Sequence, residues 1–344
     1  MSSSAQFLNP SEAAKRLGVS GKALRLYEQR GLITPMRTAA GWRAYGPDQM
    51  ARAAEIAALR ALGLSLGQVA RVLGGDAHDL EPALAAHQTT LEGRARQLAD
   101  AIEKVRRLRA DLARGQTPAA GALARLLEPA PQVSVAFELP WPWGGEPFEL
   151  RDIRPLNYII GPLGSGKTRL AKRLAETLPG AAFLGLDRLA DGGAQARAWL
   201  AADPALKSRV DRTLAWFVEE DATVSEALVA LLARLEAEGP AILVIDMLEQ
   251  GLDKATQEAL SAHLRRRGPE GRPLFLLTRS SSILDLDCVG ADEAIFLCPA
   301  NHSPPTRVAP FQGAPGYEAV ATCLASPEVR ARTEGVIAWW PQVA

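Results

Sequence analysis

The sequence predicts a multidomain protein: an all-α head with a winged helix-turn-helix, a long helix, and an α/β tail with a mostly parallel sheet. Three observations predict it. Short capped helices fill the first 75 residues, a seven-residue apolar repeat runs from about residue 80 to 114, and strand-length apolar runs alternate with helices after residue 132. We expect a head, a dimerisation helix, a linker and a tail domain over 1–75, 76–116, 117–131 and 132–344.

The formal net charge of the 344 residues is zero, but the charge is unevenly distributed. Residues 1–71 carry a net charge of +6, residues 72–130 are balanced, and residues 131–344 carry −6. The basic head is therefore where a nucleic-acid contact is expected. The chain has no apolar run of the roughly 20 residues that a membrane helix needs. It also shows no signal-peptide pattern, so we expect a cytoplasmic protein without a membrane partner.

Two short helices joined by a tight turn open the head. Asn9 is a capping residue, a proline follows it at the first helical position, and Glu12 lies three residues after the cap. This pattern is typical of a helix start. The first helix ends at Gly18, and Ser20 caps a second helix over 21–30. This arrangement is typical of a helix-turn-helix.

A hairpin and two further helices complete the head. Extended pieces over 32–35 and 42–45 flank a glycine turn, which predicts a β-hairpin wing. The next helix opens at the Gly-Pro-Asp of residues 46–48, and Ser65 caps a fourth helix that ends at Gly74.

Apolar residues then recur at every seventh position along one long helix. They are Leu84, Leu91, Leu98, Val105 and Leu112. A heptad repeat predicts a narrow seam that packs against another helix, so we expect a homodimer through the helix over 80–114. The alternative is an ordinary amphipathic helix packed on its own domain.

Strands and helices alternate after the proline-rich linker. Apolar runs of strand length cover 133–137, 158–160, 182–186, 241–245 and 274–277. Helical patterns cover 168–178, 225–238 and 255–267. Uninterrupted apolar strands separated by helices are typical of a parallel sheet that is covered on both faces.

A glycine-rich loop follows the second of these strands with the P-loop spacing GxxxxGKT. Its glycines let backbone N–H groups surround phosphate, its lysine reaches the β- and γ-phosphates, and its threonine binds Mg²⁺. The residues that predict this ATP and Mg²⁺ site are Gly161, Gly164, Ser165, Gly166, Lys167 and Thr168. Asp246 ends a later buried strand, as the acid that positions Mg²⁺ does.

The tail resembles ABC- and RecF-like ATPases over about residues 133–300. Asp253 follows Asp246 by seven residues, like the aspartate of an ABC D-loop, and Ser225 opens a helix where the signature serine lies. Residues 148–153 resemble the lead-in strand of these ATPases. The resemblance implies that a dimer can hold ATP between Lys167 of one chain and Ser225 of the other.

Three departures from that resemblance concern hydrolysis. Met247 stands where the catalytic glutamate follows the Walker B acid, and a methionine cannot orient an attacking water. Residues 278–281 read Thr-Arg-Ser-Ser where a switch histidine is expected, and the signature lacks its glycines. Glu249 is the candidate replacement for the catalytic glutamate. We expect ATP binding with slow or absent hydrolysis.

A P-loop kinase of a small molecule is an alternative interpretation of the tail. Asp187 ends an early strand where such kinases hold a base for the acceptor hydroxyl. The arginines at 265–267 are then candidates for a phosphate clamp. A strand-end cap and a solvated helix end explain the same residues without catalysis.

The head resembles the MerR family of transcription regulators over about residues 7–114. The segments that carry the resemblance are AKRLGVS at 14–20, ALRLYEQRGLI at 23–33, GWRAY at 41–45 and LRALGLSL at 59–66. It implies a winged-helix dimer with an antiparallel coiled coil on a palindromic operator in double-stranded DNA. Lys22 and Arg25 are then expected at the major groove, and Arg43 and Tyr45 of the wing at the DNA backbone. RNA polymerase is a candidate partner.

Metal-sensing members of that family place cysteines near the end of the dimer helix. The three cysteines of this chain lie at 288, 298 and 323, so sensing of a metal by that route is excluded. The hypothesis is a MerR-type regulator in which an ATP-binding domain replaces the usual sensor, with nucleotide state modulating operator binding or promoter geometry. A DNA-stimulated ABC- or RecF-like ATPase and the small-molecule kinase are the alternatives.

Overall fold

The computed structural model describes residues 7–38, 41–114, 134–268 and 271–329. The chain divides into two compact units, residues 1–132 and 133–344. The predicted linker over 117–131 and the two adjacent tryptophans at 339 and 340 lie outside the described residues. A search of the described helices for an apolar stretch able to cross a membrane finds none.

The N-terminal unit begins with the predicted helix-turn-helix and wing. Its elements are α1 (Pro10–Leu17), α2 (Gly21–Gln29), β1 (Met36–Arg37), β2 (Arg43–Ala44), α3 (Pro47–Ala61) and α4 (Leu66–Leu73). Asn9 and Glu12 form a reciprocal capping box at α1, and Ser65 and Gln68 form another at α4. Each box satisfies backbone N–H groups that the first turn of a helix leaves unpaired.

A small apolar core holds these elements together. Tyr45, Ala53, Ile56 and Val69 are completely buried in it. The backbones of Leu8 and Tyr45 exchange two hydrogen bonds of 2.9 Å, which tie the start of the described chain to the end of the wing.

The long helix α5 (Leu80–Ala113) carries the heptad residues on its surface. Leu80 and Ala83 pack against the core of the head, but the five heptad residues are each between 38% and 66% exposed. In the single chain the seam is therefore not covered by its own domain. This exposure argues against the alternative of an ordinary amphipathic helix.

The C-terminal unit contains a six-stranded sheet and a separate hairpin. The hairpin pairs β3 (Val135–Glu138) with β4 (Pro147–Leu150). The sheet strands are β5 (Leu156–Ile160), β6 (Ala181–Leu184), β7 (Ile242–Ile245), β8 (Leu274–Leu277), β9 (Glu293–Leu297) and β10 (Thr306–Val308). Their order is β10-β9-β5-β8-β7-β6, and only the β10–β9 pair is antiparallel among them.

Helices cover both faces of this sheet. They are α6 (Lys167–Thr177), α7 (Ala194–Ala202), α8 (Pro204–Glu219), α9 (Glu226–Leu235), α10 (Lys254–Arg266) and α11 (Tyr317–Cys323). Tyr158 and Ile160 of β5 belong to one apolar core, and Ile159 between them belongs to the other. Burial on both faces explains why the sheet strands are continuous apolar runs.

The structure confirms a helical N-terminal region and a mostly parallel sheet in the C-terminal unit. Helices α7 and α8 and strands β9 and β10 were not predicted from the sequence. Strand β9 begins at Glu293, a charged residue that interrupts the apolar pattern and is buried because its carboxylate pairs with Arg265 at 3.0 Å. Helices α7 and α8 are separated only by Asp203, so the sequence contains no glycine-rich or proline-rich segment between them that would mark two helices.

The position of β8 between β5 and β7 assembles the candidate site. The carboxyl ends of parallel strands meet at one edge of a sheet. The loop 161–166 after β5, Asp246 after β7 and residues 278–280 after β8 therefore come from three adjacent strands.

The connection within the hairpin packs closely on the glycine-rich loop. A Cβ atom added at Gly166 would lie 2.7 Å from Cη2 of Trp143 and 2.8 Å from Cδ of Pro142. Trp143 is buried and donates from its indole N–H to the carbonyl of Ser303 at 3.0 Å, so it cannot easily move aside. The loop is thus held by contacts outside its own sequence.

We predict that Gly166→Ala is more destabilising than Gly164→Ala. Both glycines have a positive φ, 89° and 80°, so both alanines are strained by roughly 1–2 kcal/mol. Only the alanine at 166 also meets Trp143 and Pro142, which adds about 1–3 kcal/mol. Urea unfolding followed by tryptophan fluorescence measures the difference, and equal midpoints for the two variants would contradict it.

Candidate functional site

A cleft of about 440 Å³ opens beside the glycine-rich loop in the C-terminal unit. It is lined by Trp141, Leu163, Gly164, Gly166, Lys167, Thr168, Arg169, Leu186, Asp246, Met247, Leu277, Thr278 and Arg279. The loop, the end of β7 and the end of β8 thus contribute to one surface. Gly161 and Ser165 belong to the same loop, and a Cβ at Gly161 would lie 2.7 Å from Oγ of Ser165.

Lys167 folds back over the loop that carries it. Its Nζ donates to the carbonyls of Gly161 at 2.7 Å and Pro162 at 2.6 Å. Burial lowers the pKa of Lys167, and the charge of Arg279 lowers it further. A phosphate group beside Nζ would offset both effects because it stabilises the ammonium form.

Thr168 and Asp246 lie in direct contact. The Thr168 hydroxyl donates to Oδ2 of Asp246 at 2.9 Å, although the two residues are 78 positions apart in the chain. A hydroxyl and a carboxylate are oxygen donors of the kind that Mg²⁺ takes in nucleotide sites. The side chains that the sequence assigned to Mg²⁺ therefore fit that ion.

Arg188 fixes the backbone around Asp246. It lies in a 3-10 turn (Leu186–Leu189) and donates to the carbonyls of Asp246 at 2.9 Å and Met247 at 2.8 Å. Burial lowers the pKa of its guanidinium, and the nearby Asp246 opposes that shift. Met247 has a φ of +48°, a strained conformation that these bonds hold in place. Sequence reasoning missed Arg188, because its partners are backbone atoms about 58 residues away.

Glu249 contacts the backbone of the segment that follows β8. It is 2% exposed, and its Oε1 accepts the N–H of Arg279 at 3.1 Å. Glu249 is not among the described residues that line the cleft. The candidate replacement for a catalytic glutamate therefore holds the end of a strand.

Asp253 and Ser225 each cap a helix. Oδ1 of Asp253 accepts the N–H of Thr256 at 2.8 Å at the start of α10, and the Thr223 hydroxyl donates to its Oδ2. Oγ of Ser225 accepts the N–H of Leu228 at 3.2 Å at the start of α9. Neither residue is among the described residues that line the cleft.

The arginines of the kinase interpretation have structural partners. Arg265 pairs with Glu293, Arg266 stacks on the ring of Trp216 at 4.6 Å, and Arg267 donates to the carbonyl of Leu235 at 3.3 Å. None of the three is among the described residues that line the cleft, and neither is Asp187. This arrangement argues against a phosphate clamp at 265–267.

Trp141 is a cleft residue that sequence reasoning missed. It is 67% exposed, and the guanidinium of Arg169 lies 4.3 Å from its ring centroid. An exposed aromatic ring beside a phosphate-binding loop is suited to stacking on a nucleobase. Trp141 lies in the connection between β3 and β4, outside the P-loop motif, so the motif alone does not point to it.

Lys22 and Arg25 lie exposed on α2 of the N-terminal unit. Arg43 is half-buried, with its Nε 2.9 Å from a carboxylate oxygen of Glu28. Tyr45 differs from the expectation. It is completely buried and its hydroxyl donates to the other oxygen of Glu28, so it packs in the core instead of presenting a surface to the DNA backbone.

We predict that Glu28→Ala loosens the wing and destabilises the head. The change removes one partner from both Arg43 and Tyr45, and an unpaired buried hydroxyl costs about 1–3 kcal/mol. Thermal unfolding of the N-terminal unit within the full chain should shift downward. Glu55→Ala is the control, because its partner Arg52 is exposed and such pairs contribute about 0–1 kcal/mol. Equal shifts would contradict the role of Glu28.

Comparison with known proteins places the N-terminal unit in a family. Residues 8–75 match the family described as MerR HTH family regulatory protein. A probable heavy metal-dependent transcriptional regulator of Haemophilus influenzae is 35% identical over 105 residues, which are 28% of this chain and 82% of that protein. The HTH-type transcriptional regulator HmrR of Sinorhizobium medicae is 43% identical over 67 residues, 19% of this chain and 46% of that protein. This chain thus spans less than half the length of HmrR.

Two solved structures are also similar in part. HiNmlR, a MerR family regulator lacking the sensor domain and bound to promoter DNA, is 22% identical with a TM-score of 0.23, covering 36% of this chain and 98% of that one. An ATP-binding cassette of an ABC transporter, MJ1267 in its ADP conformation, is 12% identical with a TM-score of 0.39, covering 59% and 99%. On the sequence matches, this chain belongs to the MerR family of helix-turn-helix regulatory proteins.

Proposed function

We propose that the protein is a dimeric MerR-type transcription regulator whose C-terminal unit binds ATP with Mg²⁺, and that the nucleotide modulates operator binding or promoter geometry. The observation that carries the proposal is the convergence of Lys167, Thr168 and Asp246 in one cleft. That cleft belongs to a chain whose other unit is a MerR head.

The head supplies the DNA contact. Residues 1–71 carry a net charge of +6, and neutralisation of phosphates by such charge drives association with DNA. Lys22 and Arg25 on α2 approach the bases of a palindromic operator in the major groove. Arg43 reaches the DNA backbone from the wing, with Glu28 setting its direction.

The cleft supplies the nucleotide site. Lys167 binds the β- and γ-phosphates, the loop N–H groups surround them, and Thr168 and Asp246 hold the Mg²⁺ that the phosphates bring. The ion would neutralise phosphate charge and orient the chain of phosphates. Trp141 stacks on the base once Arg169 leaves its ring.

The cleft supports binding better than turnover. Met247 lines it directly after Asp246 and offers no group to activate water, while Glu249 is occupied by the backbone of Arg279. A DNA-stimulated ATPase is the second candidate, and it predicts turnover that rises with DNA.

Helix α5 supplies the dimer. Leu84, Leu91 and Leu98 lie along it at heptad spacing, and each is at least 47% exposed in the single chain. Two such helices cover each other's seam, and this gives two heads for the two halves of a palindrome. A nucleotide that favours one arrangement of the dimer changes its affinity for the operator by linkage.

We predict that ATP–Mg²⁺ changes the operator affinity of the wild type by about 5-fold or more, the lower range of allosteric coupling. Operator fragments from genome footprinting serve as the DNA, and anisotropy measures affinity with and without nucleotide. Lys167→Ala abolishes the change. Lys207→Ala, an exposed lysine on α8 paired with Asp211, retains it. Equal affinity and equal transcription with and without ATP would refute nucleotide control.

We predict that Leu98→Lys weakens the dimer about 100-fold. The change removes two leucines from each dimer, and burial of each contributes at least about 1.5 kcal/mol. Sedimentation measures the dissociation constant. Thr89→Lys introduces the same charge at an exposed position on the opposite side of α5 and should leave the constant unchanged. If both variants dimerise like the wild type, the seam is not the interface.

A further inference from the structure

The segment that follows β8 contributes an unpaired cation to the cleft. Arg279 lines the cleft, and its Nε is shielded from solvent without a hydrogen-bond partner. Across the part of the chain that the structure describes, its guanidinium forms no hydrogen bond and no ion pair. It lies close enough to Lys167 for its charge to lower the pKa of that lysine.

The backbone of Arg279 is fixed on both sides. Its N–H donates to Oε1 of Glu249 at 3.1 Å, and its carbonyl accepts the N–H of Ala325 at 2.9 Å. The side chain therefore leaves a rigid support. A guanidinium held beside a second cation is less favourable than one that shares an anion with it, because like charges repel.

A terminal phosphate is an anion of suitable geometry. The planar guanidinium donates two parallel N–H groups to phosphate oxygens, whereas the ammonium of Lys167 acts as a point charge. Lys167 lies at the amino end of α6 and serves the phosphates within the loop. Arg279 comes from the adjacent strand, so it meets the group from another direction.

A buried hydrogen-bond chain leads from this segment to the turn before α10. Oγ of Ser280 donates to Oε1 of Gln257 at 2.6 Å, and Nε2 of Gln257 donates to the carbonyl of Leu252 at 2.7 Å. Ser280 is completely buried, and its Oγ also accepts the N–H of Ser282 at 3.1 Å. The Ser280–Gln257 pair thus connects the residue next to Arg279 with the turn 251–253.

We propose that Arg279 binds the terminal phosphate of a nucleoside triphosphate and thereby distinguishes triphosphate from diphosphate. The Ser280–Gln257 pair transmits this contact to the turn 251–253. The inference rests on the proposed nucleotide site. It adds the residue that contacts the terminal phosphate and the hydrogen-bonded pair that connects this contact with the turn 251–253.

Calorimetry of the full chain with ATP–Mg²⁺ and with ADP–Mg²⁺ tests the first part. Loss of a charged hydrogen bond predicts that Arg279→Ala weakens ATP binding about 10- to 100-fold and changes ADP binding less than about twofold. Arg279→Lys keeps the charge without the paired donors and should lie between. Arg212→Ala on α8, an exposed arginine far along the chain from the motif, is the matched control.

The outcomes separate the inference from the proposed function. Equal weakening of ATP and ADP by Arg279→Ala, or no weakening of either, overturns the role of Arg279 while wild-type binding upholds the nucleotide site. Failure of the wild type to bind either nucleotide overturns both. Circular dichroism verifies that each variant is folded.

Amide hydrogen exchange at saturating nucleotide tests the second part. Amides in the segment 250–256 of the wild type should exchange at different rates with ATP and with ADP. Ser280→Ala and Gln257→Met remove the same link from its two ends, and each should abolish that difference. Identical exchange with the two nucleotides in the wild type, or a difference that survives in both variants, would overturn the transmission.

Discussion

The insertion of β8 between β5 and β7 is the constraint on which the C-terminal site depends. Strand spacing of about 4.8 Å separates the ends of β5 and β7 by roughly 10 Å. Thr168 and Asp246 bridge this gap with a 2.9 Å hydrogen bond above the end of β8. The residues after β8 therefore form part of the cleft wall, and for this reason Arg279 lines the same cleft as Lys167. Without β8 in this place, the loop, the carboxylate and the second cation would not share one surface.

Buried backbone groups decide which charged side chains remain available for a ligand. Arg188 donates to the carbonyls of Asp246 and Met247, and Glu249 accepts the N–H of Arg279. A buried polar group without a partner is costly, so these charges stabilise the support of the cleft. The backbone N–H and carbonyl of Arg279 are both hydrogen-bonded, while Nε of its guanidinium has no hydrogen-bond partner within the described residues.

In the head, Glu28 is the carboxylate that holds the wing in place. One of its carboxylate oxygens lies 2.9 Å from Nε of Arg43, and the other accepts the hydroxyl of Tyr45. The buried tyrosine anchors the wing to the core, and the arginine is left at the surface with a defined direction. The charge is unevenly distributed, +6 over residues 1–71 and −6 after residue 130, so the proposed attraction for DNA is strongest at the head.

The sequence by itself determined the features that depend on neighbouring residues. The helix caps, the heptad seam of α5 and the loop from Gly161 to Thr168 were predictable, because each is defined by residues within a few turns of one another. Only the tertiary structure decided burial and long-range pairing. It placed Tyr45 in the core, Glu249 on a strand end and Arg279 in the cleft, and it brought Trp141 to the loop. The reason is physical: each of these outcomes depends on which backbone or apolar surface lies opposite the side chain, and residues far away in the sequence provide that surface.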